Sequence, residues 1–223
     1  WNQSMLWYRE RQPQWTDTEW MIRDWVNWKW LSGDHIVEQH VHNIDVFLWM
    51  SGLKPVKATA FGGRHRRITG DQYDMFSVDF EMENGVHFHS MCRQIDGTST
   101  LVGETIQGTK GSWNSYAQEI KDLDGNVIWK FDREAEEANF KQRNPYTLEH
   151  VDLINHIRSG ESHVEAEECV ISCLAGVMGR EAAYTGATVT WDEISQSALD
   201  YMPEKLEMGN CDMSEYTVPV PGK

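Results

Sequence analysis

Three polar residues in one short run could move a proton. Glu38, His42 and Asp45 stand in the segment Gly33-Asp34-His35-Ile36-Val37-Glu38-Gln39-His40-Val41-His42-Asn43-Ile44-Asp45. On a helix, residues four apart lie one above the other, so Glu38 and His42 would be neighbours, with Asp45 three residues further on. A carboxylate beside an imidazole raises its basicity and fixes its tautomer, which suits removal of a proton from a hydroxyl. The same spacing also describes an ordinary solvated helix face, where charged pairs at this separation are common. A second pair, His87-x-His89, would share one face of a strand. Two imidazoles without a clear third ligand read as structural, so no metal is expected. Arg93 could meet a substrate oxygen or a cofactor phosphate, or pair with Glu81 or Asp79.

The elements that must position these groups follow from punctuation and periodicity. Residues 1–12 read as a strand leading into a loop at Pro13, and residues 17–31 carry a weak helical period. Gly33-Asp34 interrupts the chain, and the spacing predicts a helix over 35–50 with Val37, Val41, Ile44 and Leu48 facing a core. Gly52 stops it and Pro55 prevents continuation. Phe76, Val78, Phe80 and Met82 then alternate with polar residues, and Asn84-Gly85 signals a hairpin. A two-residue type I′ loop would pair Phe76 with Arg93 and Val78 with Met91, placing His87, His89, Met91 and Arg93 on the apolar face. Further strands are expected at 56–62, 100–106, 115–121 and 126–131. Asn144-Pro145 opens a helix to Gly160 with an apolar stripe at Leu148, Val151, Ile154 and Ile157. Another, with Ser162 and Glu165 as a capping box, runs to Thr185, and a short one follows Trp191. There is no internal repeat or low-complexity linker. The simplest architecture is one α+β domain over 1–223, an open-faced mixed, largely antiparallel sheet with helices packed on one face.

Composition narrows the function classes. The 223 residues carry 35 acidic against 20 basic side chains, a formal charge of −15. Such a surface repels phosphate backbones and anionic headgroups, so neither nucleic acid nor membrane is an expected partner, whereas a neutral sugar is compatible with it. The chain begins at Trp1, so a targeting segment would not be visible in it, and the compartment, cytoplasmic or periplasmic, stays open. Cys92, Cys169, Cys173 and Cys211 form no Cys-x-x-Cys pair, and Cys169 and Cys173, one helical turn apart, read as small buried residues. Eight of the 11 tryptophans fall within the first 49 residues, which makes either an aromatic seam or a stacking platform for sugar rings. Trp28 is the candidate substrate contact among them.

Absent motifs sort the remainder. No two glycines are separated by a single residue, so a Gly-x-Gly-x-x-Gly dinucleotide cradle cannot occur in this chain. The run from Gly33 to Asp45 nevertheless resembles the helix that opens the C-terminal domain of the Gfo/Idh/MocA oxidoreductases: Gly33 matches its start, Glu38 the acidic position, His42 the histidine and Asp45 the aspartate. Glu38 stands where aspartate is commoner, and His40 where a small residue is. Ser90 to Ile95, the turn Gly108-Thr109-Lys110-Gly111, the helix from Asn144 to Gly160, and Ala182-Ala183-Tyr184-Thr185-Gly186 with Val189 and Trp191 extend the resemblance. It implies an oligomer formed through the open sheet face, and NAD or NADP bound on a preceding Rossmann domain that also supplies a lysine. It also implies hydride transfer from a sugar, polyol or glycoside hydroxyl, with His42 as the proton-transfer group and Glu38 assisting it. Asp45, Trp28 and Arg93 are then expected toward the substrate. The alternatives are a noncatalytic carbohydrate-binding or oligomerisation domain, and a relative that recycles NAD while cleaving glycosides. Without its Rossmann domain the chain is expected to fold but to be inactive.

Overall fold

The alternation from Met75 to Met82 builds the central strand of the main sheet. Every second side chain there (Phe76, Val78, Phe80 and Met82) is buried, and those between are half-exposed. The computed structural model describes residues 1–141 and 144–223. In chain order its elements are β1 (Asn2–Gln3), α1 (Asp17–Arg23), α2 (Lys29–Ser32), α3 (His35–Glu38), α4 (Val41–Ser51), β2 (Pro55–Gly63), β3 (Met75–Met82) and β4 (His87–Gln94). There follow β5 (Thr105–Gly108), β6 (Gly111–Asn114), β7 (Glu119–Asp122), β8 (Val127–Lys130), α5 (Arg133–Phe140), α6 (Pro145–Ser159), α7 (Ala166–Thr185), β9 (Val189–Thr190) and α8 (Trp191–Ser195). The chain divides into two compact units, one made of Trp1–Val102 with Glu168–Lys223, the other of Gly103–Glu167.

The first unit holds a five-stranded sheet in the order β1-β4-β3-β2-β9. β1 runs parallel to β4 and every other pairing is antiparallel, so the sheet is mixed. One face meets the helices: Ala58, Ala60, Phe76, Val78, Phe80 and Cys92 pack with Ile36, Ile44 and Leu48 from α3 and α4, and with Ala175, Met178 and Ala182 from α7. α7 comes close because Gly179 has no side chain; a Cβ there would stand 3.1 Å from the Phe80 ring and 3.2 Å from Val78. The opposite face carries Thr59, Phe61, Ser77, Asp79, His89 and Met91 in cross-strand register, with Phe61 75% exposed. The α+β class and the open mixed sheet are as the sequence implies. The second unit is a four-stranded antiparallel meander, β5-β6-β7-β8, with α5 and α6.

Several expectations change. The hairpin pairs Phe76 with Cys92 and Val78 with Ser90, one residue away from the anticipated register. Its loop is Glu83-Asn84-Gly85, three residues rather than two, closed by Met82 N–H to Val86 O at 2.8 Å, with Gly85 at φ +80. A one-residue slip exchanges the two faces of a strand, so His87, His89 and Met91 are exposed, and Phe88, Ser90 and Cys92 turn inward. The strands anticipated at 1–12, 100–106 and 115–121 shrink to β1, β5 and β7, and β6 stands where no strand is anticipated. The stripe on α6 is exposed at Val151, Ile154 and Ile157, and Cys169 and Cys173 are exposed as well.

The anticipated helix over 35–50 is also broken. The His35 carbonyl accepts from both Gln39 N and His40 N at 2.9 Å, which ends α3 after one turn. His40 Nε2 then reaches Ser90 Oγ on β4 at 2.5 Å, and α4 starts afresh at Val41. Gly33, Gly52, Gly160 and Gly186 do stop their helices in left-handed conformations, where any side chain would be strained.

Candidate functional site

The α3–α4 segment is fixed from below by a buried polar cluster. Asp34 caps α3 through its carboxylate, which accepts from His35 N at 2.6 Å, from Tyr73 N at 3.0 Å and from the Tyr184 hydroxyl. These bonds hold Asp34 at φ +75, a conformation that costs a non-glycine residue about 1 kcal/mol or more. Burial alone would raise its carboxyl pKa. The hydrogen bond and charge of His35, then Arg67 and the Tyr184 hydroxyl, outweigh burial and hold it below the ordinary carboxylate range. Arg180 Nη1 donates to Gly33 O at 2.9 Å, so α7 grips the same turn.

Upon this base the candidate residues take distinct places. His42 stands exposed in the first turn of α4, its ring 5.8 Å from the Trp1 ring. Trp1 also accepts the Arg93 backbone N–H at 3.0 Å, so β1 joins the start of α4 to β4. The Arg93 guanidinium donates from Nη2 to Ser99 O at 3.2 Å, while Asp79 and Glu81 pair with His87 and Lys57 instead. Glu38 lies across the helix break from His42. Its Oε1 accepts from Gln39 Nε2 at 2.7 Å, and its Oε2, shielded from solvent, makes no hydrogen bond among the described residues. Asp45 Oδ1 accepts from Ser172 Oγ on α7 at 2.6 Å, which ties α4 to α7. Trp28 is 3% exposed and meets Trp20 and Tyr216 edge to face, part of an aromatic seam. The structure therefore gathers His42 and Arg93 around Trp1, and leaves Trp28 in a different wall.

His40 gives this region a pH dependence. Burial, with the neighbouring His35, holds its imidazole well below the ordinary pKa. Unfolded histidine titrates near about 6.5, so the stability tied to neutral His40 is complete above that pH and is lost as the pH falls beneath it. Thermal denaturation between pH 7 and 5 should show a decline of about 1–2 kcal/mol, reduced in His40→Gln. An identical pH profile in the variant would remove His40 as the cause.

Sequence reasoning missed a second polar wall. Lys29 Nζ lies 3.7 Å from Asp71 Oδ2 and 5.0 Å from the centre of the Tyr201 ring, in a cleft of about 200 Å³ that Trp30 and Tyr216 also line. Burial raises the Asp71 carboxyl against the opposing pull of Lys29. Beneath it, Arg67 donates to Tyr73 O, Asn27 Oδ1 and Gln94 Oε1. The run Arg64-His65-Arg66-Arg67 followed by Asp71 and Asp74 was the available signal, since dense opposite charges a few residues apart can satisfy one another only in an ordered loop.

Residues 6–114 match the model of the GFO/IDH/MocA C-terminal domain. Over this stretch, just under half of the chain, the protein is similar to that domain. Solved structures agree at the level of the fold. An oxidoreductase from Thermotoga maritima matches with a TM-score of 0.60 at 17% identity, over 86% of this chain and 52% of its own. GenD2 from gentamicin A biosynthesis, solved with NAD, gives 0.55 at 14%, over 85% and 53%. The scyllo-inositol dehydrogenase of Lactobacillus casei, solved with NAD(H) and scyllo-inositol, gives 0.50 at 18%, over 71% and 48%. The chain thus spans about half the length of these Gfo/Idh/MocA-type structures. No curated protein matches it by sequence.

Proposed function

We propose that this chain forms the substrate side of a nicotinamide-dependent oxidoreductase acting on a hydroxyl of a sugar, polyol or glycoside. The observation that carries this reading is His42, an exposed imidazole in the first turn of α4 and inside the matched segment, with Glu38 closing the helical turn that precedes it. His42 takes the hydroxyl proton as the carbinol becomes a carbonyl. Glu38 orients the imidazole and stabilises its charged form. Arg93 directs a substrate oxygen from β4, Asp45 fixes α4 against α7, and Trp28 backs the neighbouring wall.

NAD or NADP, when bound, supplies the acceptor for the hydride leaving the carbinol carbon. The residues present do not fit its pyrophosphate: the chain has no Gly-x-Gly-x-x-Gly turn, so the cofactor is assigned to a Rossmann domain outside these 223 residues. A homo-oligomer through the open sheet face is part of the proposal, since Phe61 and Met91 stand exposed there. The test is calorimetric titration of NAD and NADP into this chain and into a protein carrying it behind its Rossmann domain, followed by a polyol screen for NADH formation. Cofactor binding and polyol-dependent reduction by the longer protein alone are expected. Cofactor binding by neither, or binding without turnover on any polyol or sugar, would overturn the reading.

A further inference from the structure

A cluster of a different chemistry lies in the second unit, at the end of α6. Asp152 and His156 are four residues apart on that helix and share a face. Gly160, at φ +74, stops α6 and turns the chain back. Three residues later the His163 imidazole lies on that of His156, with ring centres 4.3 Å apart and planes inclined by 23°. One carboxylate oxygen serves both: Asp152 Oδ2 is 3.6 Å from His156 Nδ1 and 3.6 Å from His163 Nε2. Glu165 Oε2 approaches the same His163 nitrogen at 3.4 Å.

We infer that Asp152, His156 and His163, with Glu165 completing the set, bind one divalent cation of the zinc class. Donor atoms from the first three already lie within 4.8 Å of one another. Four ligands at the usual zinc distances of about 2.0–2.2 Å stand roughly 3.3–3.6 Å apart, so Asp152 Oδ2 is already at ligand spacing from both imidazoles, while His156, whose Nδ1 now lies 3.0 Å from Asp152 O, and His163 would turn to converge on the ion. Two imidazoles and two carboxylates favour zinc or its transition-metal neighbours over magnesium and calcium, which prefer all-oxygen shells. The cation would fasten the segment Glu161–Glu165 to the last turns of α6. His87 and His89, the pair singled out from the sequence, do not form such a set: His87 turns to Asp79 at 2.7 Å and His89 to Ser77.

Metal-free chain is titrated with zinc chloride by calorimetry, and separately with cobalt chloride while following visible absorption. One equivalent of zinc should bind, magnesium should not compete, and cobalt should develop a ligand-field band. His156→Ala and His163→Ala should each weaken zinc by at least about tenfold. His87→Ala should leave it unchanged. Should an alanine variant lose helical circular dichroism, His163→Gln and Asp152→Asn provide the same comparison in side chains of similar size, with the cobalt band as the readout. No binding above the buffer blank, or binding that survives the His156→Ala/His163→Ala double substitution, overturns the assignment.

Discussion

In the protein that joins this chain to its Rossmann domain, His42→Ala should lower kcat by about 10²–10⁴-fold, the range in which a positioned proton acceptor contributes. Nicotinamide affinity should stay unchanged, because the cofactor is assigned to the other domain. KM for the polyol should move far less than kcat, since a lost proton acceptor acts in the transition state rather than in ground-state binding. Glu38→Gln keeps the size of its side chain and removes its charge. It should cost less than His42→Ala, because the proton acceptor itself remains. Steady-state kinetics across pH 5–9 reads both effects. Unchanged turnover in His42→Ala would sink the proton-transfer role and move weight to the noncatalytic reading.

Gly70→Ala should damage the fold severely, at about 3–5 kcal/mol. A Cβ at residue 70 would overlap the carbonyl oxygen of Asn27 and stand 2.5 Å from its carbonyl carbon. Neither group can step aside. The Asn27 carbonyl accepts from Asp71 N, and its side chain is held by Trp7, Asp24 and Arg67. Gly70 O in turn accepts from Arg64 Nη1 at 2.6 Å, and the residue sits at φ +73. Urea denaturation followed by tryptophan fluorescence should show the midpoint falling by about 1–2 M. Gly52→Ala is the control: φ is +65 there too, yet nothing lies within 4 Å of the added carbon, so about 1 kcal/mol is expected. Equal losses in the two variants would mean that backbone strain, and not the clash with Asn27, sets the cost.

The helix stops, the Asn144 cap, the central strand and the exposed position of His42 were all legible in the sequence, because each depends on residues close in the chain. What was not legible depended on distant partners. Val37, Val41, Ile44 and Leu48 satisfy a straight helix and a broken one equally well; the break at Gln39–His40 is decided by Ser90, 50 residues away. Glu38 and His42 were accordingly placed on one helix when they flank a junction. Asp45 carries the same charge whether it faces a ligand or Ser172, and only the packing of α7 distinguishes the two. The tryptophan excess was visible, but Trp28's burial against Trp20 and Tyr216 comes from a tail segment with no pattern of its own. The stripe on α6 shows the converse: a clear helical period whose Ile157 is 70% exposed, because periodicity states what a face could bury and not whether anything covers it.

The loop Glu83-Asn84-Gly85 has a consequence for how this protein can change over time. Hairpin tips usually tolerate insertions and deletions better than any other part of a sheet. Here the conformation of the tip sets the register. Closing the turn on Asn84-Gly85 alone, with Glu83 drawn into β3, would slip the strands by one residue, drive His87, His89 and Arg93 beneath the helices and expel Phe88 and Cys92 into water. Changes at Gly85, whose φ of +80 the three-residue loop requires, should therefore be purged as strictly as changes to the core, although the loop lies at the surface.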